Sequence, residues 1–176
     1  QCGAKGLFFD QDFSAEVPRD TGHLKFACSV GCVSTADFIR DHSANPAPVA
    51  AVSEEDTALI MYTSGTTGRP KGAMVTNLGL VQAGMIYARR FGLERNDTAI
   101  CAVPLSHITG IAALLTAIIA SGGTLVLMKQ FQVAEFLSLS VQTRMTYTIM
   151  VPTMYALLLE RADLAEYGLD AWRIGG

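Results

Sequence analysis

The chain has 176 residues, of which 50% are hydrophobic and 16% charged, and its net charge is −3. That length can enclose one domain with a sizeable core, and the composition excludes a disordered or highly charged chain. The slight acidic balance, with both signs spread along the sequence, provides no electrostatic surface for nucleic acid.

In chain order, Leu7 to Phe9 and Leu24 to Val30 are strand candidates rich in aromatic and aliphatic residues. A loop containing Pro18 and Gly22 separates them. A short helix is expected over Ala36–His42, and Asn45-Pro46-Ala47-Pro48 reads as a surface linker. Cys2, Cys28, Cys32 and Cys101 form no C-x-x-C pair, so free thiols in a reducing, cytoplasmic setting are expected. A zinc site from Cys28, Cys32 and His23 or His42 is disfavoured by irregular spacing on a partly extended segment. No signal pattern stands at the start, and a chain opening on Gln1 rather than Met is expected to lack its true N-terminus.

Ser53-Glu54-Glu55-Asp56 is a polar entry to Thr57–Thr63, an apolar run of strand length. A Gly- and Thr-rich loop spans Ser64 to Gly72, and Ala73–Thr76 is a short strand. Asn77 is the expected cap of a helix from Leu78 to Phe91, with Gly92 just past its end. Then follow a strand over Asp97–Val103, a loop from Pro104 to Gly110, a helix to Ala120 and a strand over Thr124–Met128. A helix over Val133–Gln142, a strand over Thr146–Val151, a helix opened by Pro152 and a strand at Trp172–Ile174 complete the series. The uncharged stretch from Ile108 to Met128 is broken by Ser121-Gly122-Gly123, so it reads as a buried helix, turn and strand and not as a membrane span. Strand and helix alternate from Thr57 onward, which predicts an α/β fold of mainly parallel sheets flanked by helices.

The most informative segment is Thr63-Ser64-Gly65-Thr66-Thr67-Gly68-Arg69-Pro70-Lys71-Gly72. Its glycines let a backbone approach a ligand closely. Its hydroxyls and amides donate to phosphate oxygens, Lys71 supplies positive charge, and Pro70 stiffens the approach to that lysine. A Walker loop would place a hydroxyl after the lysine, where this chain has Gly72, and no G-x-G-x-x-G occurs. A plain surface turn would not specify ten consecutive positions.

This segment closely resembles the phosphate-binding loop of the adenylate-forming superfamily: acyl- and aryl-CoA ligases, luciferases and peptide-synthetase adenylation domains. The order of later segments resembles it too. Pro104-Leu105-Ser106-His107-Ile108-Thr109-Gly110 is similar to the family's motif with a His after a Pro-led loop. Val151-Pro152-Thr153-Met154 is similar to its V-P-T segment, and Arg173-Ile174-Gly175-Gly176 to the start of its glycine-rich segment near the nucleotide. The family's usual His near Asn77 and Asn near Gly79 are missing.

The resemblance implies that residues 1–176 are part of a large N-terminal AMP-binding domain, of the acyl- or aryl-CoA synthetase branch, without the C-terminal lid. It implies ATP with Mg²⁺, a carboxylic acid and coenzyme A as reactants, and a fatty or aryl acid as substrate. Thr63, Ser64, Gly65, Thr66, Thr67, Gly68 and Lys71 would surround the ATP phosphates, with Gly175 and Gly176 near the nucleotide. Lys71 and His107 are the implied catalytic pair; His107, where amino-acid-activating relatives place an Asp, suits a plain carboxylate. His107, Ile108, Thr109, Ile111 and Met154 would line the acyl pocket, and no residue is assigned to a metal. The family's later motifs, an aromatic-Gly-x-Thr-Glu segment, a ribose-binding Asp, a hinge and a lid Lys, do not occur in the chain, so the isolated chain is expected to be inactive. The second reading is a non-catalytic nucleotide-binding or interaction module of the same fold. No membrane-spanning segment is expected, and oligomerisation is left open.

Overall fold

In the computed structural model, residues 3–17, 22–30, 50–63, 69–161 and 163–176 are described, and the chain forms two units, residues 1–51 and 52–176. The helix expected over Ala36–His42 and the linker after it lie outside the described residues. In the first unit β1 (Gly6–Asp10) pairs in parallel with β2 (Phe26–Val30), and a 3-10 turn, Gln11–Glu16, follows β1.

The second unit opens with β3 (Thr57–Thr63) and β4 (Lys71–Thr76), paired antiparallel with Thr63 opposite Lys71. This pair departs from the expected parallel arrangement. The seven residues between Thr63 and Lys71 can return the chain only as a hairpin, because a parallel return needs a crossover of about a dozen residues or more. Lys71 and Gly72, expected in the loop, are the first residues of β4. The apolar run of β3 is also less buried than expected, with Ile60, Tyr62 and Met74 exposed.

Helix α1 (Asn77–Arg90) follows directly. Its cap is Thr76 and not Asn77: the Thr76 Oγ1 accepts the Gly79 N–H at 3.1 Å. Asn77 is the first helical residue, and its side-chain amide donates to Ser53 O at 2.9 Å. The polar turn before β3 is thereby tied to the start of α1.

The remaining strands, β5 (Thr98–Cys101), β6 (Thr124–Leu127), β7 (Tyr147–Thr148) and β8 (Ile174–Gly175), form one parallel sheet in the order β6-β5-β7-β8. Between β5 and β6 a π turn, Thr109–Leu115, runs into α2 (Thr116–Ser121). Helix α3 (Val133–Gln142) precedes β7, and α4 (Pro152–Leu159) follows it. The strands expected over Asp97–Val103 and Thr146–Val151 are shorter than expected, though each is present. For β7 the reason is local: Pro152 starts a helix soon after the strand and cannot extend a ladder.

The middle of the sheet explains the unbroken apolar run of β5. Ala99, Cys101 and Val103 pack with Ala88 of α1 and with Leu114, Ala117 and Ile118. Ile100 and Ala102 point the other way, to Phe136 and Leu137 of α3 and Leu158 of α4. Side chains alternate across a strand, and here both faces are covered, so no polar residue interrupts the pattern.

At the N-terminal end of this sheet lies a buried carboxylate. Asp97, 5% exposed, accepts the Glu94 N–H at 2.6 Å and the Thr146 hydroxyl at 2.7 Å. Arg173 donates to it at 2.6 Å and also to Gly92 O at 3.0 Å. Burial pushes the Asp97 carboxyl up, but the Glu94 amide, the Thr146 hydroxyl and the Arg173 guanidinium outweigh it and hold the group below the usual range. Because the folded-state value is lowered, the stabilisation is complete above the ordinary aspartate pKa, about 3.9. It is lost as pH falls through the folded value. Asp97→Asn should lower unfolding free energy at pH 7 by about 1.5–3 kcal/mol, the range for hydrogen bonds to a charged group. Urea unfolding at stepped pH should show the variant losing less stability than the natural chain between pH 5 and 3; equal acid sensitivity would refute the assignment.

Candidate functional site

The hairpin puts the two ends of the Gly- and Thr-rich segment side by side, since Thr63 and Lys71 are cross-strand partners. Both are exposed, as are Arg69 and Pro70. Ser64, Gly65, Thr66, Thr67 and Gly68 lie outside the described residues. A cationic side chain and a hydroxyl therefore stand at the base of that segment, free of the packed core.

His107 lies in the turn between β5 and the π turn. Its backbone N–H donates to Pro104 O at 3.0 Å, and its carbonyl accepts the Ile111 N–H at 3.3 Å. Its ring Nδ1 lies 3.1 Å from Thr109 Oγ1 and 3.2 Å from the Thr109 amide nitrogen. Gly110 sets how tightly this turn closes: a Cβ there would stand 2.7 Å from Pro104 O, a separation that no side chain can occupy.

Two clefts meet at Ser106 and His107. One, of about 250 Å³, is lined by Met61, Tyr62, Thr63, Ala73, Val75, Ser106, His107 and Ile108. The other, of about 510 Å³, is lined by Val103, Pro104, Ser106, His107, Thr109, Ile149, Met150, Val151, Pro152 and Met154. The first brings Thr63 of the hairpin to His107; the second brings Thr109 and Met154 to the same histidine. Of the residues expected around an acyl group, Ile108 faces the hairpin cleft, and Ile111 lines neither. A third cleft, of about 670 Å³, lies along the C-terminal ends of β5 and β6 and shares Val103, Pro104 and Met154 with the second. Cys101 is part of its lining; burial pushes that thiol's pKa up, against the hydrogen bond it donates to Val103 O.

Gly176 lies beside residues of the second cleft. Met150 N–H and the Tyr155 hydroxyl both donate to Gly176 O at 3.0 Å. A Cβ on Gly176 would sit 3.6 Å from Ile149, one of the lining residues. Neither Gly175 nor Gly176 itself lines the cleft.

Three contributors were not singled out by sequence. Ser106 borders both clefts, although it stands in the Pro-led motif. Gly110 is the close-approach point behind His107. Tyr147, fully buried, donates its hydroxyl to Ala113 O of the π turn at 2.6 Å, and the Thr116 hydroxyl donates to Ala112 O at 2.8 Å. The only signal for Tyr147 was a phenol in a strand expected to be buried, where its hydroxyl must find a partner.

Among the described residues no group of three or more His, Cys, Asp or Glu could hold a metal ion. No helix among them is long and apolar enough to cross a membrane.

The family model described as AMP-binding enzyme matches residues 1–175. A probable CoA ligase of Humulus lupulus is 38% identical over 123 residues, covering 68% of this chain and 22% of the relative. The 2-succinylbenzoate–CoA ligase of Bacillus velezensis is 34% identical over 173 residues, covering 98% of this chain and 34% of the relative. The chain thus spans between about a fifth and a third of the length of these ligases. Among solved structures, the o-succinylbenzoate CoA synthetase of Bacillus subtilis, in complex with its acyl-adenylate intermediate, superposes with a TM-score of 0.77 at 28% identity. That alignment covers 97% of this chain and 42% of the other.

The contact behind His107 is testable without any ligand. Gly110→Ala forces a methyl against the Pro104 carbonyl, so chemical denaturation should show a loss of about 1–3 kcal/mol, as overpacking typically gives. An unchanged midpoint would mean that the turn is not closed as described.

Proposed function

Because the chain belongs to the AMP-binding enzyme family, we propose that it supplies the phosphate- and carboxylate-facing part of an ATP-dependent acid–CoA ligase. The full-length protein forms an acyl-adenylate from a carboxylic acid and ATP, then passes the acyl group to coenzyme A. The observation that carries this reading is the placement of His107 between two clefts. One reaches Thr63, at the base of the phosphate-loop segment; the other is mostly aliphatic. An acid whose tail fills the second cleft would present its carboxylate at His107, on the side facing the triphosphate.

In the first step a carboxylate oxygen attacks the α-phosphorus, the bond to the bridging oxygen breaks, and pyrophosphate leaves. No protein nucleophile is needed; positioning and electrostatic stabilisation lower the barrier. Thr63, Ser64, Gly65, Thr66, Thr67, Gly68 and Lys71 hold the phosphates of ATP, and Lys71 offsets charge that moves onto the leaving pyrophosphate. His107 donates a hydrogen bond to the acid's carboxylate. Mg²⁺ carried on the ATP phosphates would supply further charge neutralisation; the described residues include no group of three or more His, Cys, Asp or Glu that could hold it. In the second step the thiol of coenzyme A gives its proton to solvent, its sulfur bonds to the acyl carbon, and the bond from that carbon to the bridging oxygen breaks, so that AMP leaves with that oxygen.

The aliphatic lining from Val103, Ile149, Met150, Val151 and Met154 favours an apolar acyl or aryl acid. The 2-succinylbenzoate–CoA ligase among the relatives fits an aryl acid. A cytoplasmic setting is part of the same reading, supported by the free, buried thiols of Cys28 and Cys101. The isolated 176-residue chain is expected to form no acyl-adenylate.

Pyrophosphate release by the full-length protein, screened against acids of graded length and aromaticity, tests the assignment. Lys71→Ala should reduce kcat by roughly 100-fold, the scale for losing one preorganised electrostatic donor. Release without any acid, or a Lys71 variant as fast as the natural enzyme, would count against it.

A further inference from the structure

The two ring nitrogens of His107 are in different situations. A backbone amide can only donate, so the Thr109 N–H, 3.2 Å from Nδ1, requires a lone pair on that nitrogen. The neutral ring must then carry its proton on Nε2. The Thr109 hydroxyl, 3.1 Å from the same Nδ1, does not oppose this arrangement, because its hydrogen can rotate away from the ring or share the one lone pair with the amide. Moving the ring proton to Nδ1 would set it against the amide hydrogen. Among the described residues Nε2 has no hydrogen-bond partner, and His107 is exposed where the two clefts meet.

We infer that Thr109 is a positioning residue: its amide locks His107 as an Nε2–H donor, which commits the histidine to gripping an anionic oxygen of the acid rather than to removing a proton. This rests on the acid-activating role proposed above. A general base at this position would need a free lone pair on Nε2, and the Thr109 contact keeps that lone pair on the opposite side of the ring. A carboxylate is ionised at neutral pH and needs a donor, not a base, so the locked tautomer suits the substrate class.

The competing reading is that His107 merely caps the turn, with Nδ1 accepting a first-turn amide and Nε2 idle. Two substitutions separate the possibilities. An Asn side chain places its oxygen near the position of Nδ1 and keeps the cap, but it has nothing at Nε2. A Gln side chain reaches the position of Nε2 with an N–H donor. In the full-length protein, His107→Asn should raise the KM for the acid or lower kcat/KM by about 10- to 100-fold, the range expected for a hydrogen bond to a charged group. The KM for ATP should stay unchanged, and His107→Gln should recover much of the loss. An Asn variant equal to the natural enzyme would overturn the inference in favour of capping alone.

The lock has its own readout. Nitrogen-15 NMR of the imidazoles in the 176-residue chain, with His107 assigned among the three histidines by its disappearance in His107→Asn, should show the Nε2–H tautomer. Thr109→Val, which keeps the amide, should leave that tautomer in place. A ring protonated on Nδ1, or an even mixture, would overturn the lock. Because this measurement needs neither ATP nor acid, its failure is distinct from that of the ligase reading, which would show as no pyrophosphate release with any acid.

Discussion

The parallel sheet of the second unit depends on a charge buried at the wrong end of the molecule for chemistry. Asp97 lies just before β5, Thr146 just before β7 and Arg173 just before β8, and the three side chains meet within hydrogen-bonding distance. Taking a carboxylate out of water is unfavourable unless it is fully paired. Here the cost is offset by an amide, a hydroxyl and a guanidinium that remains half-exposed. The network fixes the strand starts relative to one another, and β7 and β8 pair over so few residues that their ladders alone could not do so. Their C-terminal ends are left to open into loops. Open α/β sheets place ligands at those ends, and here they carry Pro104–His107 and Ile149–Pro152.

Small residues then decide how closely the helices approach. Gly84 of α1 lies so close to α2 that a Cβ would stand 2.8 Å from Thr116 O, and Ala112, Ala113 and Ala117 are buried between sheet and helix. The segment from Gly110 to Thr116 is thus held at both ends, by Pro104 and by Gly84. A wide π turn spans the interval, and its carbonyls at Ala112 and Ala113 receive hydroxyls from Thr116 and Tyr147. Wide turns of this kind recur beside functional sites. In this chain the turn joins a rigid helix pair to the loop that presents His107, and burial pushes the pKa of the Tyr147 hydroxyl up, keeping it a neutral donor at any ordinary pH.

Much of this was legible in the residues. The alternation of short apolar runs with helical segments is a direct consequence of a sheet covered on both faces, and β5 shows why: Ala99, Ile100 and Cys101 leave no exposed position to fill with a polar residue. Pro152 and Gly92 marked helix ends because their backbones restrict or permit particular dihedrals. What could not be read was set by distant partners. Thr57–Thr63 has the same apolar character as β5, yet it forms a largely exposed hairpin, since burial depends on what else packs there. The choice of Thr76 over Asn77 as cap depended on a turn at Ser53 that had its own use for the Asn77 amide. His107 and Met154 could be named as candidates and line one cleft together, whereas the partition of Ile108 and Ile111 depended on a π turn that no local pattern announces.

Two physical demands converge on the turn from Pro104 to Gly110. Adenylate formation brings together two anions, a carboxylate and a triphosphate, that repel each other in water. A site that joins them must supply donors along the approach while shielding the tail of the acid from solvent. On the proposed reading the donors would come from different elements: Thr63 and Lys71 from a hairpin, and His107 from the loop after the C-terminal end of β5. Apolar shielding would come from Val103, Ile149, Met150 and Met154, which line the cleft at the ends of the parallel strands. His107 and Ser106 border both regions, and the His107 ring has its orientation set within its own turn.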